Sequence, residues 1–287
     1  MDKINALITL LDDPDEEVFT SVEKEMMKHS IDIIPELEKA WGNTKDVNYQ
    51  LRIENLIRSL QFADIKTRFK TWINSPDANL FYGAYLVSRY QYPKLNFDIV
   101  LEWLNKLLKE VWLELNNNLT ALEKVRILNH ILFDVHGFSS NDGNFMAPQN
   151  SYISDVFETR KGNPVSLSII YSVIAQNLGM PIYGVNLPKN FILAYLDENL
   201  QPSTLNPEDI SSALFYINPI NSGAIFGQND IMVFIHRQKL EPRFSYFLPC
   251  SNQDIILRML NNLLYSYTDL GNKEKAMEIR ELMSLFP

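Results

Sequence analysis

The pair Asn163-Pro164 constrains this chain more than any other feature. Asparagine is a good N-cap and proline a good first-turn residue, so the spacing predicts a helix from Pro164 to about Leu178. Two β-rich runs, PIYGVNL and FILAYL, follow at once, separated by a turn around Pro188. A helix leading directly into strands predicts an α+β core. FYINPIN at 215–221 and DIMVFIH at 230–236 add two strand candidates around a loop from Ser222 to Asn229.

The flanks are helical. Residues 1–119 carry apolar positions at i, i+3, i+4 and i+7 spacing. Asp13-Pro14 reads as N-cap and first-turn proline of one segment, with Asp15, Glu16 and Glu17 at its positive end and Val18, Val22 and Met26 on its face. Further segments are expected from Ile31 to Trp41, from Asp46 to Phe62, and after Pro76 and Pro93. Short connections between such helices suit either a helical-repeat solenoid or an irregular bundle. After Val135, HGFSSNDGNFMAPQNSY loses helical periodicity and reads as a long loop. Residues 251–287 hold two helical patterns broken at Gly271, a hairpin in which Ile256, Leu257, Leu260 and Leu264 face Ala276, Ile279 and Leu282. The expected domains are therefore a helical region at 1–119, a core at 120–250 and the hairpin at 251–287.

Composition narrows the function. Lys and Arg number 26 against 35 Asp and Glu, a net charge of −9, which argues against a polyanion or anionic-membrane binder. The charge leans instead towards a neutral or basic protein or peptide partner, and it sets no oligomeric state. No apolar run approaches the roughly 18 residues that suggest a membrane span. The opening MDKINALITLLDDPDEEV lacks the pattern of a signal peptide, and one cysteine, Cys250, allows no intrachain disulfide. The expected compartment is the cytoplasm, with no cofactor.

Chemistry has few places to sit. Free N–H groups at the predicted helix start would favour an anion, and Ser166 or Ser168 in its first turns stands where a nucleophile would gain from the helix dipole. The plainer reading makes both serines fillers beside a cap. His130 and His136 are six apart and cannot form an i, i+4 metal pair, so no metal site is expected. His29 suits a helix C-terminus. His236 is the one candidate for a base beside the core, or else an exposed residue next to Arg237. Phe62, Phe69, Trp72, Phe81, Tyr82, Tyr85, Tyr90 and Tyr92 could line a groove, but their helical spacing favours core packing.

Several segments in order resemble a known family. They are Gly137-Phe138, Pro148-Gln149-Asn150-Ser151-Tyr152, Arg160-Lys161-Gly162-Asn163-Pro164-Val165-Ser166-Leu167, Leu178-Gly179-Met180-Pro181, Gly184-Val185-Asn186-Leu187-Pro188-Lys189-Asn190-Phe191 and Asn218-Pro219-Ile220-Asn221. Over roughly residues 120–285 the chain resembles the transglutaminase-like proteins of bacteria, in particular a branch named after an invasion regulator and ending in a tetratricopeptide-like hairpin. The resemblance implies a papain-like α+β core. In the wider superfamily a Cys at the head of the core helix works with a His on the next strand and an Asp on the one after. By that resemblance the cysteine position holds Pro164, or Ser166 after a two-residue shift; the histidine position holds Asn190; the aspartate position holds Asn218.

Asparagine keeps hydrogen-bonding capacity but cannot cycle a proton near neutral pH. Positioned acid–base catalysis contributes roughly 10² to 10⁴ in rate, and loss of one member of a nucleophile–base unit can cost on the order of 10⁶. The expectation is a noncatalytic binding, scaffold or regulatory protein whose cleft around Asn163, Ser166, Asn190 and Asn218 persists as a polar pocket or has closed. The alternative is an amide or ester hydrolase or acyltransferase using Ser166 with a displaced base such as His236. A third reading makes the helical N-terminal region the working surface.

Overall fold

In the computed structural model, residues 2–200, 202–206 and 210–287 are described. The chain divides into two compact units, Met1–Thr71 and Trp72–Pro287. The first is helical: α1 (Asp2–Leu10), α2 (Glu16–Met26), α3 (Ile34–Asn43) and most of α4 (Val47–Ile73). Its core gathers Ile8, Met26, Leu37, Ile53 and Leu56 from all four helices. Arg52 on α4 pins the α1–α2 turn by donating to the carbonyls of Leu11 and Asp13 at 3.1 and 2.7 Å and to the Glu16 carboxylate at 2.6 Å.

Two local expectations shift here. The N-cap of α2 is Asp15, whose carboxylate accepts the Glu17 N–H at 2.8 Å, while Asp13 accepts the Asp15 N–H at 2.9 Å. Pro14 thus sits before the cap rather than inside the helix. The segment expected to stop at Phe62 continues to Ile73, because Ile65, Phe69 and Trp72 keep supplying a buried face.

In the second unit α5 (Leu80–Gln91), α6 (Phe97–Glu114) and α7 (Ala121–Asn129) lead into the core. Phe97 lies 5.3 Å from Tyr82 and 5.0 Å from Tyr85, ring centre to ring centre, and 6.1 Å from Phe81. These aromatics are packing, not groove. α7 widens to π-helical turns over His130–Val135, after which β1 (Ser139–Ser140) pairs in parallel with β2 (Lys161–Gly162). Between them the expected loop ends in α8 (Ile153–Thr159), a short helix that the sequence reading missed.

α9 (Pro164–Asn177) is the axis of the fold. Every residue from Val165 to Ala175 is buried, so its apolar run reflects a helix covered on all sides. α5, α6 and α8 pack against it, and it also meets β3 (Ile182–Val185) and β4 (Ile192–Leu196). With β5 (Ala213–Asn218) and β6 (Ala224–Phe226) these strands form an antiparallel sheet in the order β3-β4-β5-β6. β4 is buried at all five positions, which is why FILAYL reads as continuous apolar sequence rather than alternation.

The strand expected at 230–236 is instead helix α10 (Gln228–Arg237), and β6 occupies part of the expected loop. Ile231, Val233 and Ile235 alternate like a strand, yet the Asp230 carboxylate accepts the Gly227 N–H at 2.9 Å at the head of a helix, and the buried pair Ile231 and Ile235 is spaced for one helix face. The chain closes with an antiparallel pair, α11 (Asn252–Asp269) and α12 (Lys273–Met283). α11 packs on α5 and α9 as well as on α12. Its buried residues are Ile255, Ile256, Met259, Leu260, Leu263, Ser266 and Tyr267; Leu257 and Leu264, expected in the seam, are only partly buried, while Ala276, Ile279 and Leu282 are buried.

Candidate functional site

The head of α9 is built from its own cap. The Asn163 side-chain oxygen accepts the N–H groups of Val165 and Ser166, each at 3.0 Å, and the Leu167 N–H reaches the Asn163 carbonyl at 3.1 Å. Pro164 has no N–H to offer. The free donors expected at this helix start are therefore spent within the helix, and no oxyanion-type pair remains there.

Ser166 is fully buried. Its hydroxyl donates to the Asn150 carbonyl at 2.7 Å and accepts the Asn163 N–H at 3.0 Å. Both functions of the oxygen are engaged by backbone, and no imidazole is among its partners. Gly162 is required beside it: a Cβ there would stand 2.7 Å from the Ser166 oxygen. Ser168 is buried too, its hydroxyl without a hydrogen-bond partner among the described residues. His236, on the last turn of α10, is exposed.

The segment Pro148–Tyr152, recognisable in sequence but without an assigned role, is what fastens this region. Asn150 is buried; its amide nitrogen donates to the carbonyls of Asn144 and Phe145 at 2.8 and 3.0 Å, and its oxygen accepts from Asn141 at 2.9 Å. Ser151 accepts the Asn163 side-chain N–H at 2.8 Å. Tyr152 shares a hydroxyl hydrogen bond with Tyr267 of α11. Three consecutive side chains thus tie the 141–149 loop, the head of α9 and α11 together.

A pocket of about 140 Å³ opens at the head of α9. Pro164 and Asn190 both line it, so the structure brings together two of the positions singled out from the sequence. Asn190 precedes β4, and its side-chain oxygen accepts the Phe191 N–H at 2.9 Å. Asn163 also lines the pocket, whereas Ser166 faces inward and Asn218 is not part of the wall. Leu193 of β4 pairs with Ile217 of β5, which sets Asn218 at the same end of that strand pair as Asn190; the Asn218 side-chain oxygen is buried without a partner among the described residues.

The rest of the wall escaped the sequence reading. Phe145 and Met146 come from the loop, and Arg258, Asn262 and Tyr265 from α11. Nothing local marks these α11 residues, since their role comes from docking a helix about a hundred residues downstream. The lining contains no Cys, His, Asp or Glu. Cys250, the chain's one thiol, sits elsewhere, donating to the Gly184 carbonyl at 3.3 Å. Desolvation pushes its pKa up to about 12, so it stays a thiol at neutral pH. Among the described residues no group of three His, Cys, Asp or Glu could hold a metal ion, and no helix is long and apolar enough to cross a membrane. The first unit carries its own broader groove of about 740 Å³ between α1, α3 and the start of α4.

A core helix headed by a pocket and followed by antiparallel strands defines the class. Residues 99–261 match the transglutaminase-like superfamily, and the chain belongs to it. A UPF0162 protein of Xylella fastidiosa (strain 9a5c) is 25% identical over 223 residues, 71% of this chain and 70% of that protein. A UPF0162 protein of Pasteurella multocida (strain Pm70) is 33% identical over 106 residues, 36% of this chain and 40% of that one. F-box only protein 21 of Homo sapiens is 26% identical over 156 residues, 54% of this chain and 23% of that protein. No solved structure matches the chain.

Proposed function

We propose that this chain is a noncatalytic transglutaminase-like protein of the invasion-regulator branch, with a degenerate catalytic triad, acting as a binding or regulatory module. One observation carries the reading: Pro164 and Asn190 line one pocket whose wall holds no thiol, imidazole or carboxylate. A general base must lie within about 3 Å of the proton it takes, directly or through one water. The Ser166 hydroxyl is instead engaged by the Asn150 carbonyl, and the N–H groups that would hold an oxyanion are engaged by Asn163.

Asn163, Asn190 and Pro164 then serve as polar and shape-defining parts of a binding pocket, Ser166 as its support, and Asn218 as a position at the same end of the β4–β5 pair. The partner is a protein, a peptide or a small molecule, met in the cytoplasm. The α11–α12 hairpin, tetratricopeptide-like in its two-helix form, closes the pocket rather than forming an array of its own. Domain limits at 119 and 250 bound the proposed core, to which α11 adds one wall of the pocket.

The alternative, a hydrolase using Ser166, has a direct test. A fluorophosphonate probe incubated with the full chain is expected to leave Ser166 unmodified by mass spectrometry. An adduct on Ser166, lost in Ser166→Ala, would overturn the proposal.

A further inference from the structure

The pocket wall carries two cations and no anion. Arg258 and Lys189 line it in a chain whose net charge is −9. Lys189 donates to the side-chain oxygen of Gln238, a neutral amide, at 3.0 Å. Arg258 donates from Nη1 to the neutral Asn186 side chain at 3.3 Å. Its Nε is buried with no hydrogen-bond partner among the described residues. Desolvation lowers the guanidinium's pKa from its ordinary value.

Among the described residues Arg258 forms no ion pair; a partly buried guanidinium in that state is costly, and an incoming anion relieves the cost. With Nη1 committed to Asn186, the edge formed by Nε and Nη2 is the one left without a hydrogen-bond partner among the described residues. That edge carries two parallel N–H donors at a spacing that fits a planar two-oxygen acid, and the buried Nε meets such an acid once the side chain turns into the pocket.

The remaining wall sets the other half of the ligand. Phe145, Met146, Phe191 and Tyr265 supply apolar and aromatic surface, and Phe145 and Tyr265 are 50% and 61% exposed at the rim. A cavity of about 150 Å³ lined by apolar side chains holds a benzene-sized group, and this pocket is about 140 Å³. We infer that the pocket is a carboxylate site: Arg258 holds the carboxylate of a small organic acid, and the aromatic rim holds a single ring or branched aliphatic group. The inference rests on the binding reading above and names the chemistry of that pocket's ligand. The acid is either a free metabolite or the terminal carboxylate of a peptide.

The test is a titration of the full chain with phenylacetate and with its neutral counterpart phenylacetamide, following the Arg258 Nε–Hε resonance by NMR. Phenylacetate is expected to shift that resonance and to bind at least tenfold more tightly than the amide. Arg258→Lys and Arg258→Gln are each expected to lose at least tenfold in phenylacetate affinity, with an unchanged thermal midpoint for Arg258→Lys showing that the fold survives. Tighter binding of N-acetylphenylalanine than of phenylacetate supports a peptide terminus as the source, and the reverse supports a free acid. Equal affinity for phenylacetate and phenylacetamide, or an unmoved Arg258 resonance, overturns the site. Release of phenylacetate from phenylacetamide would instead overturn the noncatalytic reading, so the two failures are read separately.

Discussion

The Ser166 hydroxyl donates to the Asn150 carbonyl at 2.7 Å across sixteen residues of chain, and that bond turns an apparent nucleophile into a structural tie. It joins the head of α9 to the loop that supplies Phe145 and Met146 to the pocket. Ser166→Ala should therefore act on stability: it leaves a buried carbonyl short of a donor and costs about 1–3 kcal/mol. Urea denaturation checks this, and an unchanged midpoint would contradict it.

Gly162→Ala should be at least as damaging. The added methyl would stand 2.7 Å from the Ser166 oxygen and 3.0 Å from the Leu167 side chain, both held in the buried head of α9. Overpacking of this kind costs about 1–3 kcal/mol. The thermal midpoint should fall, and proteolysis should increase within the 141–149 loop.

Stability should fall at alkaline pH. Burial raises the Tyr216 pKa from 10.0 to about 12, and its hydroxyl donates to the Phe247 carbonyl at 2.9 Å. The pKa is higher in the folded state, so the folded chain holds its proton where the unfolded chain has lost it. The contribution is complete below pH 10 and is lost as pH rises towards 12, on the order of 2 kcal/mol in all. Tyr216→Phe should flatten that part of the stability profile measured by urea titration.

Cys250 should be slow to react. Its pKa rises from 9.0 to about 12, so at pH 8 the thiolate population is lower by about a thousandfold than in the unfolded chain. Alkylation by iodoacetamide should be correspondingly slow in the native protein and fast in urea. Rapid native alkylation would show that the segment around Cys250, just before α11, opens away from Gly184.

What the sequence made legible was what short-range chemistry decides. Asn163-Pro164 announces a helix start because capping needs only neighbours, and the order of α9, β3 and β4 follows from their apolar runs. The orientation of Ser166 was not legible, since it depends on a carbonyl sixteen residues away. Arg258 gave no signal, because only the docking of α11 beside α9 makes it a pocket residue. The strand expected around His236 fails for a different reason: Ile231, Val233 and Ile235 satisfy a two-residue period, and that period does not carry the bond from the Gly227 N–H to the Asp230 carboxylate that heads a helix.

Rebuilding the superfamily's residues should not rebuild an enzyme. The triple variant Pro164→Cys, Asn190→His, Asn218→Asp retains Asn163, which occupies the N–H groups of Val165 and Ser166, and position 218 lies outside the pocket wall. No turnover of a glutamine-containing peptide above the uncatalysed rate is expected from it, by mass spectrometry of the deamidated product.

The most direct measurement is the turnover of the unaltered chain. Purified protein is incubated with p-nitrophenyl acetate and with a glutamine-containing peptide, and product is compared with a protein-free blank and with Ser166→Ala. The account predicts rates equal to the blank for both proteins. Turnover by the unaltered chain that disappears in a folded Ser166→Ala would contradict it.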